Sequence, residues 1–438
     1  MKPKTVKRLL NEEIKKAASN PAIYCKNPGV DFSRKRKLPL DKMLSSIIGM
    51  GSGSLTNELI DLFGCKDILP TKSAFVQQRC KIHSSAFKDI LSGFTSRGVS
   101  CAKGDLRIFA IDGSDLHIPT NPEDTLSFLP GANGQKPYNL LHLNALYDLT
   151  NHLYTDATIQ KRMEVNEHKA FTELVDRSDV KKALIIADRG YESYNNMAHC
   201  QEKGWFFLIR VKDGYSGMKA GFDLPQTDEY DFPISLKLTR KQTKEVKELS
   251  KQKNFYKYLA HSSTFDYLPS KSKKADSTVF YDLHFRFVRF QITDSSYETV
   301  ITNLPAEFYP SGKLKELYAM RWGIETSFRD LKYTIGLVNF HSKKVMCIEQ
   351  EVYARMIMYN FVEMITSHVV IEKKQRKYIY KANFTVAVHM CRQFFNLNTS
   401  STLLESIIAR NVIPIRLNRH RERKLSSKTF QGFLYRVA

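Results

Sequence analysis

Apolar positions change their spacing along this chain, and each change marks a different kind of element. Over residues 1–103 they recur every three to four positions, the period of a helix with one buried face. The pattern predicts helices over 4–18, 55–63 and 74–81, the second closed by Gly64 and the third capped by Thr71 or Ser73. The last two read as a helix-turn-helix or, equally well, as an ordinary helical hairpin. From residue 105 the spacing shifts to short aliphatic runs. Residues 106–112 predict a strand ending in Asp112 and a glycine turn, and 183–187 predict another ending in Asp188-Arg-Gly. Further strands are expected at 139–147, 153–160 and 205–212, with helices at 169–177 and 193–203. This order describes a mixed α/β sheet. Residues 213–300 are β-rich, with strands expected at 232–238, 255–260, 278–292 and 298–302 among basic loops. A long amphipathic helix is expected over 345–370.

Polar positions single out residues 318–332. Tyr318, Arg321, Glu325 and Lys332 stand at i, i+3, i+7 and i+14, one narrow stripe of a continuous helix. Leu317, Ile324, Phe328 and Leu331 form an apolar stripe beside it. Taken alone, a surface helix with an i,i+4 Arg-Glu pair explains the pattern equally well. Asp112 and Asp188 alter that balance. Either aspartate alone is routine turn chemistry, but with Glu325 they make three carboxylates suited to hard divalent cations.

Charge adds a partner. The chain of 438 residues carries a net charge of +22, concentrated at its ends. Residues 1–103 hold 19 Lys and Arg against 8 Asp and Glu; residues 372–438 hold 14 against 3. A neutral body with two basic flanks suits a polyanion such as DNA. The flanks offer Arg79 and Lys81 in the third helix, and Arg416 and Arg419 in the tail, as DNA contacts. The seven cysteines are scattered without a CxxC, which predicts reduced thiols in the cytoplasm and no zinc site. No apolar run approaches the length of a membrane span. Trp205 and Trp322 are expected in the core. Five segments follow: a helical 1–103, a first core part 104–212, an inserted β-rich 213–303, a second core part 304–371 with the Glu-bearing helix, and a basic 372–438.

Asp112 in Ile-Asp-Gly-Ser, Asp188 in Ala-Asp-Arg-Gly-Tyr and Tyr318-x2-Arg321-x3-Glu325-x6-Lys332 resemble the DDE transposases of bacterial insertion sequences, the IS-four type with its Tyr-Arg-Glu-Lys signature. The resemblance covers about residues 105–370. It implies a ribonuclease-H-like core interrupted by a β-stranded insertion, in which Asp112, Asp188 and Glu325 are catalytic and hold two Mg²⁺ ions, with Mn²⁺ as a substitute. Tyr318, Arg321 and Lys332 would then contact phosphates near the cleaved end. It further implies cutting at terminal inverted repeats, joining of 3′-hydroxyls to target DNA, a homodimer in the DNA complex, and a nucleoid-associated protein. A domesticated site-specific nuclease and a non-catalytic repressor are the alternatives. Three carboxylates kept together without a cation would repel one another, which disfavours the repressor.

Overall fold

A computed structural model describes residues 1–34, 37–64, 69–99, 106–131, 134, 136–212, 217–268, 280–369, 379–397 and 399–415. The chain opens with six helices: α1 (Pro3–Ala18), α2 (Pro21–Tyr24), α3 (Leu40–Gly49), α4 (Leu55–Phe63), α5 (Lys72–Arg79) and α6 (Ser85–Gly98). The expected caps are present. Thr71 Oγ1 accepts from the Ala74 N–H at 3.2 Å, and α4 stops at Gly64, whose φ is +75°.

Strands β1 (Arg107–Ile118), β2 (Phe128–Leu129), β3 (Tyr138–Asp148) and β4 (Leu153–Lys161) follow, then α7 (Glu167–Asp176), β5 (Ala183–Ala187), α8 (Tyr194–Lys203) and β6 (Phe206–Arg210). The β-rich stretch supplies β7 (Tyr230–Thr239), α9 (Lys244–Leu249), β8 (Tyr256–Tyr258), β9 (Tyr281–Thr293) and β10 (Ser296–Thr302). After it come α10 (Ser311–Ala319), α11 (Trp322–Arg329), α12 (Val345–Thr366), β11 (Ile379–Ala382), α13 (Phe384–Leu397), α14 (Ser401–Arg410) and β12 (Val412–Ile415).

One mixed sheet runs in the order β2-β3-β1-β5-β6-β10-β9-β7-β8, with β4 added against β3. β1, β5 and β6 are mutually parallel and form its centre. The strands set apart in the sequence as an insertion do not make a second sheet; β10 pairs antiparallel with β6 and carries the others outward. Side chains alternate across the sheet. Ala110, Leu184 and Ile186 face a large core shared with α1, α3, α6, α12 and α13, while Phe109, Ile111 and Ile185 face α7 and α8. The N-terminal helices therefore pack into the same core as the helix following the Glu-bearing segment. Helix α12 is buried nearly all round, which its apolar length foreshadows.

Three expectations change. β1 does not end at Asp112 but runs through Asp112 and Gly113 to Ile118, paired with β3 from Phe109 onward. Residues 318–332 are not one helix. Between α10 and α11 the N–H groups of Met320, Arg321, Gly323 and Ile324 all bond three residues back, and residues 330–334 widen into a π-turn. Gly336 closes this segment with φ +90°, and a Cβ there would lie 1.9 Å from Ser52 Oγ. In the C-terminal region α13, α14 and the β11–β12 ladder stand where the sequence marked only basic residues. Among the described residues, no helix is long and apolar enough to cross a membrane.

Candidate active site

Register places the two aspartates side by side. β1 and β5 are parallel with Ala110 opposite Ile186, so Asp112 and Asp188, each two residues further on, reach the same level of neighbouring strands. Adjacent strands lie about 4.8 Å apart. β5 ends there, and Asp188 Oδ1 accepts the Arg189 N–H at 2.7 Å, capping the short turn Arg189–Tyr191. Asp112 Oδ1 accepts the Gly113 N–H at 2.9 Å. Helix α11 lies against β1 and brings Glu325 into this neighbourhood. Its underside is fixed by a 2.8 Å bond between the Ser327 and Tyr154 hydroxyls, and by Ile324 and Phe328 in the core.

Asp112 feels the other two carboxylates. Burial is the main cause that pushes Asp112 up to about 6, and Glu325 and Asp188 add to it against the Gly113 N–H and Arg321. Arg321 Nη2 donates to Glu325 Oε1 at 2.7 Å. Burial works against the Arg321 charge, but Tyr318, Glu325 and Asp188 more than offset it and hold the guanidinium above its ordinary value. Tyr318 is buried beside it, with the guanidinium carbon 5.8 Å from the phenol ring centroid, and burial pushes the phenol up. Both the Tyr318 hydroxyl and Arg321 Nε are buried with no hydrogen-bond partner.

The structure thus gathers Asp112, Asp188, Glu325, Tyr318 and Arg321. Lys332, carried off the stripe by the helix break and the π-turn, donates from Nζ to the Asp115 carbonyl at 2.8 Å, further along β1. Arg79 is corrected outright as a DNA contact. It is 2% exposed and spent on Glu351, Gln350 and the Cys347 carbonyl of α12. Lys81 is partly exposed, 3.6 Å from Asp31. Arg416 and Arg419 lie outside the described residues. Trp205 is a core residue as expected, but Trp322 is half exposed beside Arg321.

Sequence reasoning missed His142, Asp115 and Glu167. His142 Nδ1 lies 2.7 Å from Asp115 Oδ1 across the β1–β3 pair. Its Nε2 lies 3.1 Å from Glu167 Oε1 at the start of α7, close enough for an ion pair but out of hydrogen-bond alignment. Burial opposes a charged ring here, yet Asp115 and Glu167 overcome it and raise His142 to about 9. A Cβ on Gly113 would sit 2.4 Å from His142 Nε2. Gly113 is therefore a strand glycine that makes room for a histidine, and a lone glycine inside a strand pattern was the available signal.

Comparison with known proteins decides the family. The model of the transposase DDE domain matches residues 103–361, more than half of the chain. The chain belongs to the DDE transposases. This transposase is 22% identical over 346 residues to transposase InsG for insertion sequence element IS4 of Escherichia coli (strain K12), spanning 75% of this chain and 70% of that protein. The structure of the piggyBac transposase synaptic complex with hairpin DNA aligns over 98% of this chain and 88% of that one, with a TM-score of 0.44 and 10% identity. As a member of its family the transposase is a DNA-cleaving and strand-transferring enzyme, and the family works with divalent metal ions. Among the described residues no three His, Cys, Asp or Glu side chains are grouped to hold a metal, and Glu325 is engaged with Arg321.

Proposed function

We propose that this transposase binds the terminal inverted repeats of an insertion sequence as a homodimer, cleaves at the element ends and joins the 3′-hydroxyls to target DNA. Asp112, Asp188 and Glu325 serve as the carboxylates of a ribonuclease-H-like site. Their all-oxygen donor set fits hard cations, and Asp112, raised to about 6 chiefly by burial with Glu325 and Asp188 adding to it, gains from a cation beside it. They would hold Mg²⁺, two ions with Mn²⁺ as a substitute, which when bound supplies charge at the attacking and leaving oxygens.

One observation carries the reading: two buried donors without partners, the Tyr318 hydroxyl and Arg321 Nε, stand beside those carboxylates. A buried donor left unmet costs about 1–3 kcal/mol, so such a pair is a place prepared for an acceptor. A phosphate oxygen supplies one, and the planar guanidinium can grip it through two N–H groups. Arg321 then exchanges Glu325 for phosphate, which frees the Glu325 carboxylate for the cation side of the site. Lys332 adds a point charge along β1 toward the DNA backbone. Lys81 remains a candidate for a backbone phosphate from the N-terminal helices, as do Arg416 and Arg419 from the tail.

Strand cleavage tests this. The full-length protein is incubated with DNA carrying the element's terminal repeats in Mg²⁺, in EDTA, and as Glu325→Gln. Cleavage at the repeat boundary that needs both Mg²⁺ and Glu325 is the expected result. Selective binding with no cleavage by the unaltered protein would replace it with a non-catalytic regulator, and cleavage surviving Glu325→Gln would remove Glu325 from the triad.

A further inference from the structure

Where α5 meets the first turn of α12, Cys80 Sγ and Cys347 Sγ stand 3.7 Å apart although 267 positions separate them in the chain. Among the described residues, Cys25, Cys200 and Cys391 are each buried and free. The contact between Cys80 and Cys347 is fixed by its surroundings rather than by the thiols. Arg79, directly before Cys80, holds the Cys347 carbonyl and pairs with Glu351 at 2.8 Å. Gln350 receives the Arg79 Nε–H at 2.9 Å and donates to the Ile82 carbonyl at 2.6 Å. Ser84 donates to Glu349 at 2.8 Å. These bonds clamp α5 and the start of α6 onto α12 on both sides of the sulfur pair.

We infer that Cys80 and Cys347 are an oxidisable dithiol that closes to a disulfide under a hydroperoxide. The two sulfurs need approach by only about 1.7 Å to reach bonding distance. Cys80 is partly exposed and meets the oxidant first, while Cys347 is fully buried. The Cys80 thiolate attacks one peroxide oxygen, the O–O bond breaks, and Cys80 becomes a sulfenic acid as an alcohol leaves, or water from hydrogen peroxide. The Cys347 sulfur then attacks the Cys80 sulfur. The S–S bond forms, the S–O bond breaks, and the hydroxyl departs as water with the Cys347 proton. Two thiols lose two electrons and two protons; the peroxide takes them up. Burial raises the Cys347 thiol, opposed by the neighbouring Arg79 charge, so the second step gains from proximity rather than from a ready thiolate.

The resulting bond ties the N-terminal helices to α12, which also packs against β4 and the 330–334 turn. It closes a long loop of chain and so restricts the unfolded state more than the folded one. Thiol reductants restore the open form.

The test uses the full-length protein, treated with hydrogen peroxide, quenched with an alkylating reagent and digested without reduction. Mass spectrometry is expected to find one linked peptide pair joining Cys80 to Cys347, lighter by two hydrogens than the separate peptides and abolished by dithiothreitol. The oxidised protein should melt a few degrees higher than the reduced one, and Cys80→Ser should remove both the link and the rise while leaving cleavage under reducing conditions unchanged. Recovery of Cys80 and Cys347 as separately alkylated thiols, as a sulfinic acid, or in bridges to other cysteines overturns the inference. The peptide map needs no variant, so a poorly folding Cys80→Ser does not blunt it.

Discussion

Two arginine–glutamate pairs in this molecule, one local and one between distant segments, differ in how completely their donors are met. Around Arg79 each guanidinium nitrogen has a partner: Nη1 Glu351, Nε Gln350 and Nη2 the Cys347 carbonyl. Glu351 is met as well, by Arg79, by the His341 N–H at 3.0 Å and by His341 Nδ1 at 3.0 Å. Around Arg321 the pairing is incomplete. Nη2 reaches Glu325, but Nε and the neighbouring Tyr318 hydroxyl are buried and unmet. A closed cluster holds helices together; an open one, partly exposed at its glutamate, keeps capacity for something not part of the chain.

The largest effect that could break the comparison is catalytic. On the proposed role of Glu325 as a cation-holding carboxylate, Glu325→Gln should lower cleavage by about 10³-fold or more, because such a group contributes several kcal/mol to the transition state. Its stability should change by only about 1 kcal/mol, because the Glu325 side chain is 32% exposed and the amide still accepts from Arg321. Glu351→Gln should behave in the opposite way. It strands the Arg79 charge in a site 2% exposed and should cost about 3–5 kcal/mol in urea unfolding, with cleavage per folded molecule unchanged. Equal stability losses in the two variants would erase the distinction.

Acid sharpens it next. Burial alone would push Glu351 up, but Arg79, His341 and Arg355 hold it down to about 2. In the unfolded chain a glutamate titrates near about 4.3. A depressed folded value means the stabilisation is present above about pH 4.3 and is lost as pH falls through about 2, a contribution on the order of 3 kcal/mol. Urea midpoints measured from pH 5 down to pH 3 should fall, and should fall less steeply in Glu351→Gln. His142, raised to about 9, acts at the other end. Its stabilisation is full below about pH 6.5 and is lost as pH rises through about 9.

What was legible in the sequence follows from which interactions are local. Helix 55–63 and the strands of the sheet centre were visible because burial alternates with a period that side chains report directly. Asp112, Asp188 and Glu325 stood out by residue type and spacing. The break at Met320–Arg321 left no such mark, since it is a change in backbone bonding among residues that all suit a helix. Asp112-Gly113 reads as a turn because that dipeptide ends many strands; only the packing of His142 against Gly113 shows the other reason for a glycine. Arg79 beside Gln77 and Gln78 had the look of an exposed DNA reader, while its partner Glu351 lies on a helix far along the chain. Continuity of the sheet through β6 and β10 is likewise a long-range pairing that no local pattern announces.

The smallest expected effect tests the open cluster most directly. Tyr318→Phe deletes a buried hydroxyl that has no partner, so the free protein should gain about 1 kcal/mol rather than lose it. Tyr154→Phe is the control: its hydroxyl, equally buried, bonds Ser327 at 2.8 Å under α11, and its loss should cost about 1 kcal/mol. If the Tyr318 hydroxyl waits for a phosphate oxygen, the stabilised Tyr318→Phe variant should also bind and cleave element-end DNA about tenfold less well, since one hydrogen bond to a charged acceptor is worth about that much. Chemical denaturation and cleavage rates on the same two preparations give all four numbers. Opposite signs in stability, with the activity loss confined to Tyr318→Phe, are what an unfilled ligand site produces. Destabilisation of both variants to the same degree would mean that the hydroxyl is satisfied within the protein, and the contrast between the two clusters would disappear with it.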